Sequence, residues 1–493
     1  MERSALYRCS VDDVWRRQTG KLHPTHFARK IGGCEDLIKR LQLYGTLDGH
    51  VSCVNTVHFN PTGDLLVSGS DDKDIVIWDW ASKTKKLSYY SGHSSNVFQA
   101  RIMPFSDDRS IVSCAADGQV RHSQILENGR VETKKLAKHR GRAHKLAIEP
   151  GSSYTFFSCA EDGVVRHFDL REDKSNKLVR CLSFQGSNKT RQSNALSLNA
   201  IVINPRNPNY FSVGGSDEYA RVYDIRKVDL EASRSEDQPV DYFTPKHLIG
   251  SQGVHITCVA YSEQEELLVS YNDELIYKFD KGMGLGSDPA AIVNEAVRSE
   301  KNKDDNDVNE EKPQVYEGHR NMDTVKGVSY FGPNSEYVVS GSDCGRIFIW
   351  KKRGGELVAM MKGDNEVVNC LEPHPFATYL ATSGIEASIK IWAPTAERLQ
   401  PLPADAEKTM QNNRRRRENR LNLRPRVIMH VMQLQRRQAQ RDEAQSHVDW
   451  YNLHRGSYEG DDDDDMDFMD SNSSDDDSSE EGARIGPREC IIT

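Results

Sequence analysis

The chain has 493 residues, with 65 Lys and Arg against 74 Asp and Glu and a formal net charge of −9. That length exceeds one small core, and without a run of eighteen apolar residues a membrane-spanning helix is excluded. Ten scattered cysteines form no CxxC pair or His–Cys cluster, so they are expected as reduced thiols, with no metal and no cofactor.

The first stretch, MERSALYRCSVDDVWRR, lacks the apolar core of a signal peptide. Within residues 1–40, Phe27, Ile31, Leu37 and Ile38, together with Leu41, approximate one face of a short helix broken at Gly32-Gly33. Such a segment either caps the body of the protein or docks a partner.

From residue 41 to 395 one phrase recurs seven times, most clearly as GHVSCVNTVHFNPTGDLLVSGSDDKDIVIWDW, Gly49 to Trp80. DLLVSGS and DIVIWDW alternate with the period of half-buried strands. A unit this short cannot bury its own apolar face, whereas a ring of such units can. The copy resembles a WD repeat, and the resemblance implies that His50, Ser68, Asp72 and Trp78 form one buried hydrogen-bonded chain. Later copies decay. The second keeps His93 and Asp117 but ends in Ser123-Gln124; the third keeps His139, Asp162 and Phe168-Asp169. The fourth has Asn194 for the His, then Asp217 and Tyr223-Asp224; the fifth has only Asp273 and Phe279-Asp280. The sixth restores His319 and Trp350 but has Cys344 at the Asp position, and the seventh has Asp364, Glu386 and Trp392. No fourth strand follows Trp392, because APTAERLQPLPAD is Pro-rich, so residues near Leu41–Leu47 are expected to complete the seventh blade and close the ring. The expected fold is all-β, a seven-bladed WD-repeat propeller with a short N-terminal helical segment and a partly disordered C-terminal tail.

Glu231–Asp241 and Arg298–Lys312 are charged, nearly devoid of apolar residues, and read as loops between blades. Residues 396–460 form a basic extension, Asn412–Arg426 followed by a helical pattern over Val427–Gln445. Residues 461–493 are a tail whose Asp461–Glu481 block carries twelve carboxylates; without them the formal charge is +3. This block solubilises the chain or attracts basic partners such as histones. Its Ser471, Ser473, Ser474, Ser478 and Ser479 suit acid-directed kinases. The closing Cys490-Ile491-Ile492-Thr493 has the C-a-a-X form for prenylation, the one route to a membrane.

No phosphate loop, nucleophile elbow or metal spacing is present, and the recurring Asp and His sit in structural positions, so no enzyme is expected. RRRR at Arg414–Arg417 lacks interleaved aromatics, which favours an import signal or solvated run over direct nucleic-acid contact. The most specific signal is HFDLRE followed one blade later by VYDIRK, with Arg171 two residues beyond Asp169 and Arg226 two beyond Asp224. Each Arg pairs within its blade or captures a partner's carboxylates. The two phrases together resemble the DWD box of substrate receptors for cullin-four RING ubiquitin ligases, with Phe168 and Tyr223 in place of Trp. CAADGQVR (Cys114–Arg121), Gly318–Trp350 and Val367–Thr395 look like the cullin-four-associated factor 8 branch. The resemblance implies that the arginines face the large damaged-DNA-binding adaptor and, through it, cullin-four and a RING protein. It implies a receptor for an unknown protein substrate, in nucleus and cytoplasm. The alternative is a histone- or chromatin-binding scaffold that uses the acidic tail.

Overall fold

A ring of short repeats must satisfy two demands: each sheet buries both faces against its neighbours, and the last sheet finds a partner for its free edge. The computed structural model describes residues 9–183, 195–228, 239–251, 253–287 and 312–421. It shows seven antiparallel four-stranded sheets, a seven-bladed β-propeller. The innermost strands are Val54–Phe59, Val97–Ile102, Ala143–Ile148, Leu198–Ile203, Ile256–Tyr261, Val328–Phe331 and Val368–Pro373. Each touches the next around the axis, and the last touches the first.

The burial pattern departs from simple alternation. Leu66–Ser70 is buried throughout, as are four consecutive residues of Asp74–Asp79, because each sheet is covered on both sides by adjacent blades. Only the outer strand, such as Thr84–Tyr90, is largely exposed. A bulge recurs near the start of the innermost strand in six blades. It turns the extra residue toward a neighbour: Asn55 Nδ2 donates to the Val97 carbonyl at 3.1 Å, and Asn199 Nδ2 to the Ile256 carbonyl at 3.2 Å.

Closure comes from the N-terminal side. Strand Gln42–Asp48 pairs antiparallel with Ser388–Ala393, and Leu47 packs with Ile389 and Ile391 between blades 7 and 1. The chain before it caps the ring. Helix α2 (Pro24–Gly32) ends at the glycine pair, and α3 (Glu35–Ile38) follows. Tyr337 donates to the Gly33 carbonyl and Thr378 to the Gly32 carbonyl, both at 3.1 Å. Ile38 and Leu41 pack among Phe331, Tyr337 and Trp392 of blades 6 and 7. Ahead of them lies a helix that the residue pattern did not reveal, α1 (Cys9–Gln18), tied to α2 by a 2.8 Å Lys30–Asp13 ion pair.

Beyond the last strand the chain runs back beside the cap, with Gln400 N–H on the Lys39 carbonyl and Arg40 on that of Ala396. Helix α4 (Ala406–Leu421) then begins some twenty residues earlier in the chain than the pattern over Val427–Gln445. Its Ala406 and Asn413 are buried, and Asn413 Nδ2 donates to the Gly318 carbonyl at 2.8 Å. The described residues up to Arg414 belong to one compact unit. No described helix is long and apolar enough to cross a membrane. Asn194, the pattern at 427–445, the acidic block with its five serines, Cys490 and most of both interblade loops lie outside the described residues.

Candidate functional site

Two kinds of polar cluster sit on the ring, and their positions separate their roles. The first is buried inside the blades. In blade 1, His50 Nδ1 lies 2.9 Å from Asp72 and Nε2 lies 2.7 Å from Ser68 Oγ, which also accepts the Trp78 indole N–H at 2.8 Å. Asp72 can only accept, so Nδ1 donates to it, while Nε2 shares a hydrogen bond with the Ser68 hydroxyl. Blade 2 keeps His93 with Asp117 and Ser113, and blade 3 keeps His139 with Asp162 and Ser158. Burial pushes these three carboxyls up. Hydrogen bonds from the histidines and from backbone N–H groups outweigh it and hold them below the usual range, Asp162 at about 2.

Blades 4, 6 and 7 replace this chain with other pairs. Asp217 of blade 4 meets the buried Arg221, which lies four residues on and donates to it from two nitrogens. In blade 6 the expected chain through His319 and Trp350 is absent. The Trp350 indole donates to the Glu317 carbonyl at 3.0 Å, and His319 packs edge-on against its ring. With Cys344 at the acidic position, Asp343 one residue earlier is the buried acid, paired with the buried Lys326 and with Arg320. In blade 7 the Trp392 indole donates to Thr382 at 2.9 Å, and Lys390 joins Glu386 to Asp364.

The second cluster is exposed. Asp169 and Asp224 end the third strands of blades 3 and 4, opposite Thr155 and Tyr210 of the second strands. Arg171 Nε and Nη2 lie 2.9 and 2.6 Å from the two Asp169 oxygens, and its own N–H donates to Oδ1. Arg226 repeats this on Asp224 at 2.9 and 2.7 Å. Each guanidinium also lies over a tyrosine, Arg171 5.1 Å from the Tyr154 ring and Arg226 5.9 Å from Tyr210. The intrablade pair and the open surface therefore coexist: the arginine side chains remain 64% and 60% exposed while their aspartates are nearly buried. The side-chain hydrogen bond from Arg171 is the main reason the Asp169 carboxyl sits at about 2, and Arg226 lowers Asp224 in the same way. An Asp on one edge and a Tyr beneath leave a fixed, preorganised cation whose outer edge is free for a partner.

Phe168 and Tyr223, which stand for Trp, are held by stacking on Phe156 and Phe211 at 4.7 and 5.3 Å. Stacking thus stands in for the indole hydrogen bond at Phe168, while Tyr223 adds a hydrogen bond between its hydroxyl and Cys181 Sγ at 3.3 Å. Both Asp–Arg turns lie at the end of the third strand, whereas the His–Asp pairs lie at its start. Tyr337, Thr378 and Lys351, which hold the cap, mark the same strand ends in blades 6 and 7. The arginines and the cap therefore share one face of the ring.

Residues 41–79, 84–122, 310–351 and 355–393 match the WD domain, G-beta repeat family. These matches fall on blades 1, 2, 6 and 7 of the seven-bladed propeller. The chain is 34% identical to human DDB1- and CUL4-associated factor 6, an alignment covering 57% of this chain and 33% of that protein. It is 34% identical to Arabidopsis thaliana Protein ALTERED SEED GERMINATION 2 over 51% of this chain and 37% of that protein. Human WD and tetratricopeptide repeats protein 1 is 23% identical over 85% of this chain and 94% of its own length. The chain thus spans about a third of the length of the first two relatives. No group of three or more His, Cys, Asp or Glu among the described residues has a metal-holding arrangement.

Proposed function

We propose that this propeller is the substrate receptor of a cullin-four RING ubiquitin ligase, with Arg171 and Arg226 facing the adaptor. The observation that carries the reading is the duplicated Asp–Arg–Tyr arrangement on adjacent blades, exposed on one face. Relatives whose names associate them with DDB1 and CUL4 support the coarse assignment, and the factor 8 branch is the finer one suggested by the residues quoted above. Helix α1 adds a second surface. Val11, Val14 and Trp15 fall on one side of it and are 80%, 41% and 52% exposed, an apolar stripe suited to a groove on the same adaptor.

The mechanism is proximity. The ring assigns itself no chemical step; it holds a target protein near a ubiquitin-charged enzyme and lowers the entropic cost of transfer. The same reading places the protein in nucleus and cytoplasm, with Arg414–Arg417 as its import signal. Co-purification from cells tests the assignment. Wild-type protein should recover DDB1 and cullin-four, and the R171A/R226A variant should lose both while remaining folded. Recovery of both by the variant would remove the arginines from the account.

A further inference from the structure

Four charged or titratable side chains lie on the innermost strands of four consecutive blades. Glu372, His58 and Arg101 hold the same strand position in consecutive blades 7, 1 and 2, and Lys145 lies on the innermost strand of blade 3. His58 Nε2 is 3.4 Å from a Glu372 oxygen. The remaining donors are not used. His58 Nδ1 and Arg101 Nε are buried without a hydrogen-bond partner, and neither Arg101 nor Lys145 forms an ion pair among the described residues. Both cations act on Glu372 and on the Cys370 and Cys114 thiols, so they converge on one region. Elsewhere round the axis the innermost strands carry uncharged side chains: Ala200 and Val202, Cys258 and Ala260, and Tyr330, with Cys258 and Ala260 packed against the blade 6 core.

We propose that the inner ring binds a compact oxyanion of the phosphate or sulfate type against Arg101 and Lys145. A buried guanidinium N–H without a partner is costly, and a tetrahedral anion offers it an acceptor while balancing two unpaired cations. Access is limited, since the Glu372 and His58 side chains keep only 24% and 15% of their exposure, which favours a free ion over the phosphate of a larger molecule. Glu372 does not forbid the anion. Burial pushes its carboxyl up to about 7, so near neutrality a large part of it is protonated and able to donate.

Calorimetric titration of the full chain with inorganic phosphate tests the site. Direct heat is the better readout, because phosphate stabilises most folded proteins through exclusion from their surface. The wild type should show one saturable event. Lys145→Gln should weaken it at least about tenfold, as expected on losing a charge-assisted contact, and Glu372→Gln should tighten it. Matching circular dichroism spectra confirm that both variants are folded. Absence of saturable heat in the wild type, or one affinity shared by all three proteins, overturns the proposal.

Discussion

Replacing Ser68 by Ala removes one oxygen and strands two neighbours. In the folded ring the Ser68 hydroxyl serves His50 Nε2 at 2.7 Å and the Trp78 indole at 2.8 Å, and all three side chains are buried. A lost intramolecular hydrogen bond costs about 1 kcal/mol net, and a buried polar group left unsatisfied costs about 1–3 kcal/mol. Two stranded groups therefore predict a loss of about 3 kcal/mol, with little cavity cost because Ala is nearly isosteric. Urea unfolding of the wild type, S68A, W78F and the double variant separates the terms. W78F removes the indole donor, so S68A should cost less in that background, with a coupling of about 1 kcal/mol. A single variant within about 0.5 kcal/mol of wild type, or strictly additive costs, would refute the reading of Ser68 as the junction of the blade.

Three further outcomes follow from other parts of the ring. Burial raises Glu372 from 4.5 to about 7, so its protonated form favours the fold; this contribution is full below pH 4.5 and is lost as pH rises through 7. Glu372→Gln should therefore gain stability over wild type at pH 8, by at most about 3 kcal/mol since water reaches part of the side chain, and little at pH 4, as read by denaturant melts. Deleting residues 1–48 removes the strand that closes blade 7 and the Leu47 contacts, so its melting temperature should fall well below that of a chain lacking 461–493; equal values would remove the closure argument. Trp15→Ala should weaken adaptor binding yet leave the melting temperature unchanged, because the side chain is half exposed on α1; a shifted melt would instead make the helix part of the body.

Much of the ring is legible in the residues, for a local reason. His50, Ser68, Asp72 and Trp78 lie within one blade, so their partners recur at fixed spacing, and the Pro-rich stretch after Trp392 left only an N-terminal strand to close the sheet. Spacing fails where partners were exchanged. Arg221 stands four residues from Asp217, and Lys326 and Lys390 serve acids in blades 6 and 7; Arg221 and Lys390 are each a lone cation in an otherwise apolar strand, a signal that such a strand hides a buried acid, whereas Lys326 precedes its strand. Helix α1 escaped because its Val11, Val14 and Trp15 face solvent, so no core-facing period marks it. The two arginines are visible as a repeated phrase, but the Tyr154 and Tyr210 rings beneath them come from the turn before and the start of the second strands, and only the fold brings them together.

The central claim is that Arg171 and Arg226 hold the adaptor, and binding of purified full-length chain to purified DDB1 measures it most directly. Biolayer interferometry of wild type against R171A/R226A, with melts run in parallel, should show affinity reduced by at least about tenfold, as for exposed arginines at the centre of an interface. The melting temperatures should agree, since both side chains lie outside the packed blades. Equal affinities for the two proteins, with both folded, would contradict the account.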